Sequence, residues 1–403
     1  MSTDTRTGAG RARALLLMLA LANFAVGMGA FSVIGILTPV AAGFGLDQAG
    51  AGWLMTVYAL VYAVSSPLLV ALTGERERVH VLTGGLLLLF TGAALAALAP
   101  GYTTLLAARA LMAVGSGLVT PVATAIGVAS VPLDQRGRAL ALVFGGITLA
   151  QALGVPSGAW LGYTIGWRVT FAIVAALALG SASVLFVRAP RGLRVPANSL
   201  ATLGDVLRTP RSVLAIAFNA LFVGGAFAFV TYLAPFVEAR HGLGREGVFL
   251  MFLVFGVGAV VGNAIGGFLT DRIGPVRALI GLAIGQIAIL PILTLTHVPV
   301  TATAALLGVS SLLGWSAQVP QQARLAALDP ERTSVLLALN AAAIYLGGSI
   351  GSAAGGQTIA IAGYDALGVT GAALALLGLV SLAVVAALGK PGALPVPACE
   401  SRA

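Results

Sequence analysis

Among the 22 Lys and Arg of this chain, Arg109 alone sits well inside a long apolar stretch, LLAARALMAVGSG (105–117). A guanidinium at the centre of a bilayer costs about 2.5–3.5 kcal/mol on insertion scales. Arg109 lies roughly two turns from the end of its apolar run, where snorkelling relieves part of that and makes it a helix anchor. None of the 13 Asp and Glu is as deep. Glu238, in LAPFVEARHG at the end of another run, comes nearest, either as a proton-carrying carboxyl or as a solvated loop acid. His297 is placed at an interface. The one cysteine, Cys399, lies in the polar tail, which excludes disulfides and cysteine metal sites. No His/Asp/Glu cluster and no Ser–His–Asp set falls at the depth of the apolar runs. No GxxxxGK(S/T) phosphate loop exists, and the only lysine is Lys390. Enzymatic chemistry and ATP hydrolysis are not expected, and neither a cofactor nor a metal is implied. Moving protons and solutes remains.

The elements that would position these residues follow from composition. The chain has 403 residues, 59% hydrophobic and 9% charged, with a mean hydropathy of +1.01. Soluble domains carry about 25% charged residues, so this chain belongs in a bilayer. A crossing needs about 20 apolar residues. Spans are expected near 14–37, 51–72, 79–99, 103–130, 139–161, 168–188, 213–236, 247–269, 277–296, 301–320, 335–360 and 368–388. The first run, 14–37, is too long for the apolar region of a signal peptide and reads as a true span. Two six-helix bundles are expected at 14–188 and 213–388, with tails at 1–13 and 389–403 and a linker at 189–212. Of the Lys and Arg residues, only Arg168, Arg240 and Arg245 fall on one side of these spans, with Arg109 inside; the others lie opposite. The positive-inside rule places both termini and the linker in the cytoplasm. The net charge of +9 is thus a topology signal, and a nucleic-acid partner is not expected.

Shifting the chain by 197 residues superimposes its features without a gap. Leu72-Thr73 meets Leu269-Thr270, Asp134 meets Glu331, Gly154 and Gly158 meet Gly351 and Gly355, and Gly166-Trp167 meets Gly363-Tyr364. Two six-span halves in the same orientation follow, related by an axis along the membrane normal. With GGFLTDRIGPVR (266–277), LLAARALMAVGSG (105–117), LGVPSGAWLG (153–162) and GWRVTF (166–171), the chain resembles the major facilitator superfamily. The likeness is to its twelve-span drug:proton antiporter branch, which includes bacterial sugar-efflux and chloramphenicol-resistance proteins, and it covers essentially the whole chain. The fold so implied is all-α and integral to the membrane, with twelve transmembrane helices in two parallel six-helix repeats around a central cavity.

The resemblance implies a role for Arg109 in proton coupling and assigns the span-5 motif to exporters. Many relatives carry a span-1 glutamate in a TEF pattern; here the stretch reads GAF, with Ala30 at the acidic position. That leaves Glu238 as the coupling candidate, and keeps a proton-independent facilitator or importer as the alternative. Spans 5 and 8 meet across the halves in the resembled fold, as do 2 and 11. Small residues let membrane helices pack closely, and stripes of them occur at Gly154, Gly158 and Gly162 around Pro156, at Gly258, Gly262 and Gly266, and at Gly347, Gly351 and Gly355, with a milder one at Ala59 and Ala63. They are expected to form smooth faces on which one half rocks against the other, or else static packing. Pro156 removes one helix hydrogen bond and permits a bend. Asp271, Arg272 and Gly274 of the loop after span 8 are expected to latch one state. The first-half copy, LTGERERVH, lacks that acid–arginine pair.

Polar and aromatic residues inside spans mark a bundle-facing lining. The expected cavity residues are Asn23, Phe24, Phe31, Tyr58, Gln151, Asn219, Phe227, Tyr232, Trp315 and Asn340; Asn263, Gln286, Gln318 and Gln357 share their character. The expected activity is secondary export of a small amphipathic solute, drug-like or sugar-like, by alternating access in exchange for protons. The chain is expected to act as a monomer in a bacterial inner membrane.

Overall fold

The computed structural model describes residues 4–132, 135–190, 192 and 200–388. Asp134 of the repeat, the tail 389–403 with Cys399, and most of the first part of the linker lie outside them. Eleven helical runs are long and apolar enough to cross a membrane. One of these, Arg136–Arg188, has 53 residues. At 1.5 Å per residue it would be far longer than a hydrocarbon core of about 30 Å. It folds back at Gly166, whose φ of +119° only glycine adopts readily. The run is therefore spans 5 and 6, and the chain crosses twelve times.

Span 1 runs Asp4–Gly35 and continues after a kink as Leu37–Phe44. The expected tail is thus helical from Asp4, because its Ala and Arg residues propagate the helix beyond the apolar run. Spans 2, 3 and 4 are Gln48–Leu72, Arg78–Ala97 and Tyr102–Ala129. Span 5 covers 136–166 and span 6 is Trp167–Arg188. After a short linker helix, Leu200–Arg208, span 7 is Pro210–Val230, extended by Leu233–His241. Spans 8 and 9 are Arg245–Ile273 and Pro275–Leu295. Span 10 is Val300–Ser316, extended by Gln318–Leu328; spans 11 and 12 are Thr333–Ala362 and Leu367–Ala387. Both ends of the described chain lie on one face of the bundle, here the terminal face; the opposite one is the far face.

The repeat is visible in the packing. Span 5 lies on span 1 as span 11 lies on span 7, span 4 on span 2 as span 10 on span 8, and span 6 on span 3 as span 12 on span 9. Gly166 and Gly363, equivalent under the shift, both end their helices with positive φ. Across the halves, span 2 packs on span 11 and span 5 on span 8. Span 5 carries two π-helical segments, Ala150–Gly154 and Gly162–Gly166, on either side of the Pro156 turn. Such widened turns absorb the hydrogen bond that proline removes. Large apolar side chains such as Leu250, Val257 and Phe268 of span 8 and Leu376, Leu377 and Val380 of span 12 are exposed, as a lipid-facing belt requires.

The glycine stripes do not face across the halves. Gly154, Gly158 and Gly162 pack on Met28, Ser32 and Ile36 of span 1. Gly258, Gly262 and Gly266 pack on the backbone of span 10, at Gly308, Leu312 and Ser316. Gly347, Gly351 and Gly355 pack on Ala220, Gly224 and Ala228 of span 7. Each stripe fastens two helices of one half; a Cβ at Gly262 would meet the Leu312 carbonyl oxygen at 2.5 Å. The faces that meet across the halves lie one residue further round. A Cβ added at Gly348 would meet Met55 and Ala59 of span 2 at 3.5 and 3.8 Å, and one added at Gly356 would stand 3.5 Å from Ala49. On span 8 a Cβ added at Gly256 would come within 2.7 Å of the Ala152 backbone of span 5.

Candidate functional site

Arg109 is fully buried and holds three backbone carbonyls. Its Nε donates to Leu54 O at 3.1 Å, Nη2 to Ala30 O at 3.2 Å, and Nη1 to Gly29 O. The guanidinium carbon also lies 4.2 Å from the centre of the Tyr58 ring. Among the described residues no carboxylate pairs with it. The charge is held by carbonyl dipoles and a π face, which is how a guanidinium with five donors is satisfied without a counter-ion. The partners on span 1 are Gly29 and Ala30, where the resemblance expects an acid.

Tyr58 begins an aromatic chain that leads from Arg109 across the interface. Its ring lies 6.5 Å from Tyr62, and Tyr62 stacks at 3.6 Å on Tyr345 of the other half. Phe31 stands 6.3 Å from Tyr345 and 6.2 Å from Phe227. These rings fill the centre of the molecule. Beside them lies a crevice of two small lobes, about 10 and 30 Å³. That is room for a water or two, against about 300–1,000 Å³ for a drug-sized site. The central cavity is thus nearly closed in this conformation.

Four of the ten expected cavity residues reach the lobes. Phe31, Gln151, Phe227 and Trp315 line the first, and Phe227 and Trp315 also line the second. The other six do not. Asn23 is buried and ties span 1 to span 5 through Val143 O at 3.0 Å. Phe24 flanks the same seam, where Gly146 abuts its backbone. Tyr58 serves Arg109. Asn219 and Asn340 bond each other at 3.0 Å, and Gln321 joins them at 3.2 Å. Val143 and Asn340 are 197 residues apart, and each carbonyl accepts from an asparagine of the neighbouring span, Asn23 and Asn219, which lie one residue out of register in the repeat. Gln318 couples that network to the second lobe, which it lines, by donating to Asn219 Oδ1 at 3.3 Å.

Tyr232 lies at the far-face closure. Its hydroxyl donates to Ser352 O at 2.8 Å, and its ring covers Gly52 at the start of span 2. Ser352 Oγ in turn donates to Gly52 O at 3.1 Å, joining spans 11 and 2. Beside them Glu238 accepts from Thr38 Oγ1 at 2.8 Å and from the Tyr163 hydroxyl. Thr38 and Tyr163 belong to the first half and Glu238 to the second. Glu238 is therefore a half-buried bridge between the halves, not a solvated loop acid. Arg240 next to it pairs with Asp365.

On the terminal face the loop motif makes a turn. Gly274, with φ of +82°, ends span 8, and Pro275 opens span 9. Asp271 and Arg272 are exposed. Arg272 lies over Phe268 at 5.6 Å, and Asp271 has no ion pair among the described residues. The expected latch is not formed in this conformation, because both side chains stand at the solvent end of the helix.

Several of these residues carry no signal in sequence. Tyr62 sits in a run of apolar residues, Thr38 and Tyr163 are ordinary hydroxyls at helix ends, and the acceptors of Arg109 are backbone. Gln318, by contrast, is a polar residue inside an apolar run.

The family model for the Major Facilitator Superfamily matches residues 19–328. The chain is 30% identical over 363 residues to an MFS-type transporter, YbcL, of Bacillus subtilis, covering 89% of this chain and 93% of that one. It is 31% identical over 370 residues to the inner membrane transport protein YdhP of Escherichia coli, covering 90% and 94%. A chloramphenicol resistance protein of Streptomyces lividans is 34% identical over 264 residues, covering 64% of this chain and 67% of the relative. The fold matches the crystal structure of a bacterial homologue of the human lysosomal transporter Spinster, in an inward-facing, unoccupied conformation. The TM-score is 0.72 at 19% identity, covering 94% of this chain and 96% of that one. Twelve crossings in two repeated halves, a shared inter-half crevice and these matches lead to one assignment: the chain belongs to the major facilitator superfamily and is a secondary transporter of a small molecule, not an enzyme.

Proposed function

We propose that this chain exports a small, neutral or weakly charged amphipathic solute from the cytoplasm by alternating access, in exchange for protons. In this reading the termini and the linker are cytoplasmic, the far face is extracytoplasmic, and the chain works as a monomer. The observation that carries it is the Glu238 bridge. Among the described residues, this carboxylate spans the two halves and accepts two hydroxyl donors from the opposite half where the far face is closed. A proton on either oxygen removes the charge that assists both bonds and turns that oxygen into a donor. Glu238 thus belongs to the contacts that close the far face, and a titratable group whose contacts differ between the two states is what coupling requires. Arg109 then holds spans 1, 2 and 4 of the first half together as one body, which carries the Thr38 donor to Glu238 of the second half.

The experiment is uptake into inside-out vesicles of a panel of dyes, sugars and chloramphenicol, with and without an imposed proton gradient. Uptake that follows the gradient supports antiport. A second reading, a proton-independent facilitator, is favoured by the pairing of Arg109 with carbonyls at Gly29 and Ala30 in place of an acid. It predicts uptake indifferent to the gradient.

A further inference from the structure

We propose that Gln151 and Gln318 form a two-armed clamp, one amide from each half, for a neutral aromatic solute with hydrogen-bond donors at both ends. The inference rests on the transport reading and narrows its substrate class. The two lobes share Phe227, Val230, Phe255 and Trp315 as a common wall. Gln151, from span 5, lines one lobe, and Gln318, from span 10, lines the other. They are 4% and 7% exposed, and the Oε1 of each is buried without a hydrogen-bond partner. An unpaired buried acceptor is a standing penalty that an incoming N–H or O–H removes.

The rest of the lining sets the remainder of the ligand. Phe31, Phe227, Phe255 and Trp315 offer flat apolar surfaces that suit an aromatic body. No Asp, Glu, Lys, Arg or His lines either lobe. A charged solute would enter without a counter-charge, which a dry apolar site penalises heavily. The crevice thus selects against permanent cations. Because the arms belong to different halves, a molecule long enough to reach both draws the halves together over itself. A molecule that satisfies one arm leaves the other amide unpaired.

The test is equilibrium binding to the full chain in lipid nanodiscs. The first probe is radiolabelled N-(4-hydroxyphenyl)acetamide, which has one donor at each end. Its N-methyl, O-methyl derivative has none, and tetraphenylphosphonium is a permanent cation without donors. The wild type is expected to bind the first probe about tenfold more tightly than the second, about threefold for each of the two hydrogen bonds it gains. Gln151→Leu and Gln318→Leu should each reduce that preference to about threefold or less. Gln318→Leu also removes the bond to Asn219. If it does not elute as a folded protein, Gln151→Leu, whose amide makes no hydrogen bond among the described residues, decides alone. Equal binding of the two neutral probes, a preference that survives the substitutions, tighter binding of tetraphenylphosphonium, or no binding of any probe overturns the clamp. The transport reading fails separately, by absence of gradient-dependent uptake in vesicles, whatever the binding preferences are.

Discussion

Gly52→Ala should open the far face. Gly52 lies where span 2 meets Tyr232 of span 7 and Ser352 of span 11. A Cβ there would stand 2.7 Å from Tyr232 Cζ and 2.9 Å from Cε1, and would run into the hydroxyl oxygen, where ordinary contact is 3.4–4 Å. Tyr232 has no room to yield, since it is 1% exposed and its hydroxyl is held by Ser352 O. The spans must part by several tenths of an ångström, and overpacking of this kind costs about 1–3 kcal/mol. The strain exists only while the halves touch, so it acts on the equilibrium between states and not on each half. An energy of 1–3 kcal/mol is a shift of about 5–150-fold. The assay places a single thiol at Val230, 4% exposed and lining the crevice, in a Cys399→Ser background, and follows its labelling by an impermeant maleimide from the far face. Labelling should accelerate by about that factor. Tyr232→Ala added to Gly52→Ala should return it toward the rate of Tyr232→Ala alone. Gly267→Ala, with nothing within 4 Å of its added methyl, should change nothing. An unchanged labelling rate with a lowered melting temperature would mean the strain is present in every state, and the far-face closure would not be a gate.

Three further outcomes follow from the same contacts. Glu238→Gln keeps an oxygen for Thr38 or Tyr163 but loses the charge and the proton site, so solute uptake should persist and no longer respond to an imposed pH gradient; retained gradient dependence would move the coupling group elsewhere. Arg109→Lys has one ammonium in place of a fork that reaches three carbonyls on two spans. It should lower stability by about 3 kcal/mol, read as a lower midpoint in thermal denaturation of the purified protein, and an unchanged midpoint would mean the three bonds carry no weight. Gly351→Leu drives a side chain into the Gly224 carbonyl of span 7 and should abolish folded protein, seen as loss of the monodisperse peak. A folded but inactive Gly351→Leu protein would restore the stripe as a moving surface.

The bilayer made the topology legible. In a medium that satisfies no backbone group, a span must be a helix of about 20 apolar residues, so counting runs and offsetting the chain by 197 residues yields the twelve crossings and their repeat. The same physics hides which face of a helix meets which neighbour. Span 11 shows why: Gly347, Gly351 and Gly355 form one small face, and Gly348, Ser352 and Gly356 form another one residue round. Periodicity groups the members of each face but does not name the helix opposite. In a half built from closely packed neighbours, the tightest small face goes to the partner that never leaves, here span 7. On span 11 the cross-half face is looser at Gly348, where an added Cβ would come no nearer than 3.5 Å to Met55, while elsewhere the halves meet closely, at Gly52 against Tyr232 and at Gly256 against Ala152.

The same reasoning explains Arg109 and Glu238. A side chain announces its own charge in sequence but not its acceptor when that acceptor is backbone, so the three carbonyls around Arg109 could not be read from residue types. Their presence changes what the absent acid at Ala30 means. A carboxylate there would compete for the guanidinium and tie its own protonation to the packing of span 1. With carbonyls in that place, Arg109 is paired without an acid. Any proton dependence of transport must then enter where a titratable group spans the halves. Among the described acids that condition is met by Glu238, which takes one donor from the end of span 1 and one from the end of span 5. Coupling placed there is coupling to far-face closure itself: Glu238→Gln should change the pH dependence of Val230→Cys labelling without changing its accessible range. If labelling of the Glu238→Gln variant still tracks pH as the parent does, Glu238 is a structural bridge and the facilitator reading stands.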